Sequence, residues 1–208
     1  VDKLGLGYHD LKTLNPKLIY AAISGFGRLE GYEGPDSKRL AFDIVAEAMS
    51  GIMHLVGFDD KPPSWTIYGM ADVYTGLCTS FAITQALFMR ERTGKGQFVD
   101  SAMLDNMISL NERMAMLYSI TEKEPHRGRL THLYPRGAFK CKDGYLAMNI
   151  PNDLVWGRFC KAIGHENLIR DDRSKTGTAR ASNAEFLAPI IEEWLSQKTR
   201  SEAENILN

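Results

Sequence analysis

The hydrophobic positions of this chain fall into two regimes, one unbroken run and several spaced stripes. Residues 17–24, Lys-Leu-Ile-Tyr-Ala-Ala-Ile-Ser, are almost continuously apolar and end at Gly25-Phe-Gly27. A run of that length between turn residues predicts a strand buried on both faces, which favours a parallel sheet. A short polar helix over residues 10–15 precedes it and is stopped by Pro16. Beyond the Gly- and Pro-rich loop of residues 29–38, Phe42, Val45, Met49 and Ile52 recur at helical spacing and predict one helix over residues 40–53, with Gly51 near its end. After a Pro-containing loop over residues 59–64, a stronger helix opens at Thr75. Its stripe is Leu77, Phe81, Thr84 and Phe88, with Leu87 beside it. Arg90, Glu91 and Arg92 close its last turn before Gly94 and Gly96, and cations there complement the negative end of the helix dipole. Residues 97–102 predict a short strand leading into a second long helix over residues 102–120. Strands and helices in this order predict a doubly wound α/β unit.

The pattern changes near residue 121. Residues 122–129 carry the charges and proline of a linker. Residues 137–142 and 145–150 alternate in polarity around Asp143-Gly144, a strong hairpin signal. A helix over residues 153–163 follows, with Leu154, Trp156, Phe159 and Cys160 inward and Gly164 at its end. The tail, residues 183–207, predicts two helices, the first with Phe186, Ile190, Ile191 and Trp194 on its apolar face. The domain boundary is therefore placed between an α/β part, residues 1–120, and a smaller α+β part, residues 121–208.

Composition narrows the function more than it identifies it. The chain has 208 residues, 44% of them hydrophobic and 25% charged, enough to bury a sizeable core. With 25 Lys+Arg against 26 Asp+Glu it lacks the basic footprint of a nucleic-acid binder. Its apolar runs fall well short of the roughly 20 residues that span a bilayer, and no signal peptide opens it. Nucleic acid and membrane are accordingly not expected as partners. Cys78, Cys141 and Cys160 are odd in number, far apart and without a CxxC pair, which reads as reduced structural thiols in an intracellular compartment.

The candidates for chemistry are few. His9, His54, His126, His132 and His165 are scattered with no metal-ligand spacing, so no metal site is expected. HExxH, GxSxG, a full GxGxxG and a Walker A loop are all absent. Asp72 stands out in Tyr68-Gly-Met-Ala-Asp72-Val-Tyr-Thr75-Gly76, in a loop just before the strong helix, where a carboxylate feels the positive end of the dipole and the free N–H groups of the first turn. It reads as an N-terminal cap by pattern. Thr75 is the better-placed cap, which leaves Asp72 without a structural task.

Taken together, several segments resemble one family. They are Leu14-Asn-Pro16-Lys-Leu-Ile-Tyr20, Ile23-Ser-Gly-Phe-Gly27, Ala41-Phe-Asp-Ile44, Ala48-Met-Ser-Gly51, Gly69-Met-Ala-Asp72 with Thr75-Gly76, Thr93-Gly-Lys-Gly-Gln97, and Asp100-Ser-Ala-Met103 with Asp105. In this order and spacing the chain is similar to the family III CoA-transferases, the group of formyl-CoA transferase, carnitine CoA-transferase and the α-methylacyl-CoA racemases. Pro135-Arg-Gly-Ala-Phe139 and Asp143-Gly144-Tyr145 fit as well. The likeness spans residues 4–170. Members are longer chains, so it implies that N-terminal Rossmann-like strands and much of the C-terminal portion lie outside these residues. The fold expected is a Rossmann-like parallel-sheet large domain, present in part, followed by a small α+β domain.

The resemblance also implies a chemistry. Asp72 would be the nucleophile of a CoA-transferase that moves CoA between an acyl-CoA and a free carboxylic acid, through aspartyl anhydride and aspartyl-CoA thioester intermediates. The adjacent helix start would stabilise the oxyanions. CoA thioesters are then substrates, and no permanent cofactor is expected. Ser24, Gly25 and Phe26 match the stretch along the pantetheine and diphosphate of CoA, Met103 and Asp105 a stretch close to the thioester, and Phe42, Asp43 and Tyr68 are further CoA contacts that the resemblance implies. Asp43 also reads as a plain helix-start residue, and Met103 and Asp105 as a core Met and a solvated Asp. Racemases of the group carry His then Asp in the segment aligned with Ala41-Phe42-Asp43. Phe42 cannot exchange a proton, which favours the transferase. The alternatives are a racemase or epimerase of the same family and a non-catalytic CoA-binding subunit, against which Asp72 argues. A glycine-rich lid would fall at residues 128–134, but Arg-Leu-Thr-His-Leu-Tyr stands there after Gly128. Arg127 and Arg129 offer cations to a substrate carboxylate, though linker chemistry reads them as solvated. The family's architecture implies an interlocked homodimer. The compartment expected is the cytoplasm, with mitochondrion and peroxisome open because the resemblance implies that strands precede Val1.

Overall fold

The computed structural model describes residues 1–58, 60–125, 127 and 133–208, without the side chain of Asp2. The Cα positions divide into two compact units, Val1–Lys123 and Glu124–Asn208.

In the first unit a 3-10 turn, Asp2–Leu4, and α1 (Tyr8–Leu14) lead past Pro16 into β1 (Ile19–Ser24). β1 pairs in parallel with β2 (Gln97–Ala102), in a register running from Ile19↔Gln97 to Ser24↔Ala102. Among the described residues this sheet has two strands. The strand expected to be buried on both faces is therefore only partly covered: Ala21 and Ile23 are exposed, Ile23 at 53%. Hydrogen bonding along one edge of a strand does not bury its faces. Tyr20 and Phe98 lie on one face, where Tyr8 completes an aromatic trio with centroids 5.3–5.9 Å apart.

The helix expected over residues 40–53 is two. α2 (Asp43–Met49) ends at Ser50, and α3 (Ile52–Leu55) begins after Gly51, whose φ is 81°. The buried face of α2 is Ala46 and Glu47, while Phe42 and Met49 are exposed. The next helix, α4 (Met70–Thr93), starts five residues earlier than Thr75. Its buried residues are Ala71, Thr75, Thr79 and Ala86, and the apolar stripe of Leu77, Phe81 and Phe88 faces outward at 57–66% exposure. Small residues let α4 approach the sheet and α2 closely, and Thr79 Oγ1 hydrogen-bonds Ser101 Oγ of β2 at 2.8 Å. The long helix expected after β2 is also two, α5 (Met103–Leu110) and α6 (Glu112–Thr121), broken at Asn111. The two breaks are tied together, because Asn111 Nδ2 donates to the Ser50 carbonyl at 3.1 Å. A side chain at one break that reaches a backbone carbonyl at the other has no counterpart in apolar periodicity. The core here is small: Ala46, Ile52, Ala71, Met103 and Met107, with Val56, Met70 and Tyr74 against them.

The second unit contains the hairpin, β3 (Arg136–Cys141) and β4 (Gly144–Asn149), antiparallel from Arg136↔Asn149 to Cys141↔Gly144. The turn is thus Lys142-Asp143, one residue earlier than the Asp-Gly pair suggests. α7 (Asp153–Ala162) is capped by Asn152, whose side chain accepts from Val155 N–H. Trp156, Phe159 and Cys160 point inward, but Leu154 is 68% exposed. A 3-10 turn, Glu166–Ile169, precedes α8 (Gly177–Ser182), which apolar pattern misses because it is short and polar, and then α9 (Ala184–Ser196) and α10 (Arg200–Leu207) follow. This unit has the larger core, including Trp156, Leu168, Leu187, Ile191 and Leu195, each at most 1% exposed. Arg180 is equally buried and satisfied by Asp153 Oδ1 at 2.9 Å and the carbonyls of Tyr134 and Ser174. All three cysteines are free. Burial pushes the Cys160 thiol up to about 12, so it stays protonated and behaves as a small hydrophobe.

Three carboxylates of this unit, Asp143 and Glu202 exposed and Asp171 half-buried, sit below their ordinary range. Hydrogen bonds from Arg173 hold Asp171 at about 2, the Arg200 backbone N–H lowers Asp143, and the Thr199 backbone N–H lowers Glu202. Depressed folded-state values stabilise above the unfolded ones, 3.8 for Asp and 4.5 for Glu, and the stabilisation is lost as pH falls through the folded values. Thermal melts followed by Trp156 and Trp194 fluorescence in a Trp65→Phe background are expected to decline from about pH 4.5 towards about pH 2. Replacing Asp171 with Asn should flatten that decline.

Candidate functional site

Four stretches of the first unit converge: the end of β1, the start of α2, the start of α4 and the start of α5. The contacts that join them involve backbone as much as side chains. Gly25 lies so close to the Ala41 methyl group that a Cβ at Gly25 would collide with it, so only glycine fits. The Gly25 carbonyl accepts from Leu104 N–H at 3.1 Å, fastening the end of β1 to the first turn of α5. Met103, also in that turn, is 7% exposed and belongs to the same core cluster as Ala46 of α2 and Ala71 of α4.

The start of α4 is built by Asp43. Oδ2 accepts from Gly69 N–H at 3.1 Å, and Oδ1 accepts from Ala71 N–H at 2.6 Å and, more weakly, from Asp72 N–H at 3.4 Å. The N-cap residue Gly69 has φ of 80°, in the left-handed region that favours glycine, and no side chain of its own with which to cap. A carboxylate from another helix does that work, at the end where the dipole favours negative charge.

Asp72 is consequently not in a preceding loop. It is the third residue of α4, in the first turn, and its side chain is exposed. Among the described residues no hydrogen bond or ion pair engages its carboxylate. Thr75 caps nothing: it lies wholly buried within the helix, and its Oγ1 has no hydrogen-bond partner among the described residues. The expectation that amides of this helix start stabilise oxyanions does not hold for those of Gly69, Ala71 and Asp72, which Asp43 already occupies.

The remaining candidates divide. Phe42 is the N-cap residue of α2 and 72% exposed, and Tyr68, next to Gly69, is 90% exposed, so two aromatic rings stand in the open on the segments that Asp43 joins. Ser24 faces its own loop, its Oγ accepting from Gly27 N–H at 3.0 Å. The next two N–H groups, of Arg28 and Leu29, donate to Asp100 Oδ2 at 2.7 and 2.8 Å, so three amides of this loop are already used internally. Phe26 carries the Arg39 guanidinium 5.9 Å from its ring centre. Asp105 is exposed in the first turn of α5. Arg127, read as solvated, is instead buried at 8% exposure. His126, Arg129, His132 and most of the expected lid at 128–134 lie outside the described residues, as does Asp59.

Pattern reading misses Glu47, Thr66 and Asp100. Glu47 is fully buried, with Oε2 accepting from Thr66 N–H at 2.9 Å and Oε1 from Thr66 Oγ1 at 3.0 Å. The one available signal is that Asp43 and Glu47 stand four residues apart on one helix, hence on one face.

A family model described as CoA-transferase family III matches residues 1–208. The chain is 36% identical over 193 residues to the succinyl-CoA:glutarate CoA-transferase of Mus musculus, covering 92% of this chain and 43% of that one. It is 35% identical over 196 residues to the succinyl-CoA:mesaconate CoA-transferase of Haloarcula hispanica, covering 93% and 49%. The crystal structure of a CAIB/BAIF family protein from Brucella suis superposes with a TM-score of 0.80 at 36% identity, over 99% of this chain and 54% of that one. The chain thus spans about half the length of the curated relatives it matches.

The contact of Gly25 with Ala41 gives a direct test of how the site is assembled. Gly25→Ala should lower stability by about 1–3 kcal/mol by overpacking, and Ala41→Gly in the same chain should recover most of it. Chemical denaturation of the two single variants and the double variant checks this.

Proposed function

The chain belongs to CoA-transferase family III, and from that premise we propose that it carries the nucleophilic half-site of an enzyme moving CoA from an acyl-CoA to a free carboxylic acid. The observation that carries the reading is the exposed Asp72 carboxylate in the first turn of α4, which engages no partner among the described residues. Asp72 attacks the thioester carbonyl, the C–S bond breaks and CoA leaves as thiolate. The thiolate attacks the aspartyl carbonyl of the resulting anhydride, expelling the donor acid and leaving an aspartyl-CoA thioester. The acceptor carboxylate attacks that thioester, releasing the thiolate again. The thiolate then attacks the acceptor's acyl carbonyl in the second anhydride, giving the new acyl-CoA and free Asp72. Every step exchanges one acyl group between a carboxylate and a thiolate, so no net proton moves. Splitting the exchange in this way lowers each barrier.

The open rings of Phe42 and Tyr68 suit the acyl and pantetheine chains, with Ser24, Gly25, Phe26 and Asp105 completing the CoA contacts, while Met103 is spent on the core. Asp43 is left out of that set, because both its oxygens are spent on α4. CoA thioesters serve as substrates, and the chemistry calls for no resident cofactor. The named relatives act on glutarate and mesaconate with succinyl-CoA, which supports a dicarboxylic acid as acceptor here. Phe42 removes the second base that racemisation requires. The outward stripe of Val73, Leu77 and Phe81, each 66–74% exposed, supports burial of α4 in a homodimer, interlocked as the family resemblance implies.

In the complete protein, Asp72→Ala is expected to abolish CoA transfer from succinyl-CoA to a panel of dicarboxylic acids. Affinity for CoA thioesters should stay within about tenfold, because a nucleophile acts on the chemical steps far more than on ground-state binding. Hydroxylamine with acyl-CoA should modify Asp72, and turnover surviving in the variant would remove the reading. Exchange of the α-proton in heavy water without CoA transfer would point to a racemase instead. Light scattering is expected to find a dimer at micromolar concentration, and an active monomer would refute the assembly.

A further inference from the structure

We infer that α2 is a two-carboxylate clamp on the segment that presents the nucleophile, with Asp43 and Glu47 as positioning residues for Asp72 that need not touch CoA. The inference rests on Asp72 being the nucleophile. The two acids are one helical turn apart on the same face. Asp43 takes the backbone of Gly69, Ala71 and Asp72, and Glu47 takes both the backbone N–H and the hydroxyl of Thr66. All four oxygens of the pair are thus committed to residues 66–72. Between the two anchor points Ile67 and Tyr68 stand out at 67% and 90% exposure, and Met70 N–H donates to the Ile67 carbonyl at 3.3 Å, closing the turn.

Glu47 makes the case strongest. A carboxylate at 0% exposure is costly to bury, and hydrogen bonding recovers that cost only if its partners are held in place. Leu or Met would fill the same space without it. What the carboxylate adds is direction: two acceptors that hold Thr66 in one orientation. Ala46, between the two acids, lies in one core cluster with Ala71, so the helices also touch where the clamp closes. Asp43 has a second effect. By occupying the first-turn amides it stops Asp72 from folding back to cap its own helix, which keeps the nucleophile's oxygens free.

The test is steady-state kinetics on the complete protein for Asp43→Asn, Glu47→Ala, Glu47→Gln and Asp72→Ala, with circular dichroism to confirm folding. Asn at position 43 keeps one acceptor but turns an NH2 towards an N–H group. We expect kcat to fall by about tenfold to a hundredfold, the scale of a small misplacement of a reacting group, with KM for the CoA thioester within about twofold. Glu47→Ala should fall on the same scale. Glu47→Gln should keep at least about half the wild-type kcat, because its carbonyl can accept from Thr66 N–H while its NH2 donates to Thr66 Oγ1. An unchanged kcat in Asp43→Asn, or a raised KM at constant kcat, overturns the clamp. Should Asp43→Asn fail to fold, the Glu47 pair decides: Ala and Gln alike in kcat overturn it, and loss in Ala with retention in Gln supports it. Turnover in Asp72→Ala removes the nucleophile and the clamp together, whereas a dead Asp72→Ala beside a normal Asp43→Asn removes the clamp alone.

Discussion

A single carboxylate, that of Asp43, closes the arrangement on which the rest of the site depends. It reaches 26 to 29 positions along the chain to take three backbone N–H groups at the start of α4. A helix start always leaves such groups without intrahelical partners, and a cap is ordinarily supplied by the residue just before the helix. Gly69 cannot supply one. Its left-handed φ lets the chain turn sharply into the helix, and its lack of a side chain hands the capping to α2. The orientation of α4 is therefore set by a tertiary contact as well as by packing. Other elements follow from it: Ala71 meets Ala46 and Met103 in the core, and Met103 opens the helix whose next amide is held by Gly25.

The same geometry explains why α4 reads so differently in sequence and in space. Its largest apolar side chains face outward, and its buried positions are Ala and Thr. Close approach of α4 to β2 and α2 requires small residues on the inner face, so hydrophobic size there tracks proximity inversely. The second unit follows the ordinary rule, with Trp156, Leu187, Ile191 and Leu195 inside. Exposed apolar surface of the extent seen on α4 is surface that a protein normally covers.

What could be read from sequence follows from which interactions are local. The parallel strand near residue 20, the strand at 97–102, the hairpin and the helices at 153–163 and 183–207 all rest on periodicity and turn chemistry within a few residues. The lost boundaries rest on distant partners. Residues 40–53 break at Ser50-Gly51 and residues 102–120 at Asn111, where Asn111 binds the Ser50 carbonyl 61 residues away. The start of α4 departs from the local pattern for the same reason, since Thr75 has the look of a cap in sequence while the cap is the distant Asp43. Asp72 was legible as an unusual carboxylate at a helix start. Glu47 was not, because nothing local separates a buried acid from a solvated one on a short helix.

Two acids at one helix start would ordinarily be redundant, and the structure resolves that by dividing the work. A carboxylate that caps has its lone pairs bound to N–H groups and its nucleophilicity reduced, so one residue cannot both hold the helix and attack an acyl carbon. Asp43 binds the amides, and the carboxylate of Asp72, the third residue of α4, engages no partner among the described residues. The cost is electrostatic, because the amides that might have stabilised developing negative charge are occupied and the positive end of the dipole is partly neutralised. In the proposed reaction an oxyanion formed at Asp72 therefore has to find its donors elsewhere. The arrangement gives up stabilisation of charge for a fixed Asp72 carboxylate, the group that opens the proposed exchange and is released by its last step.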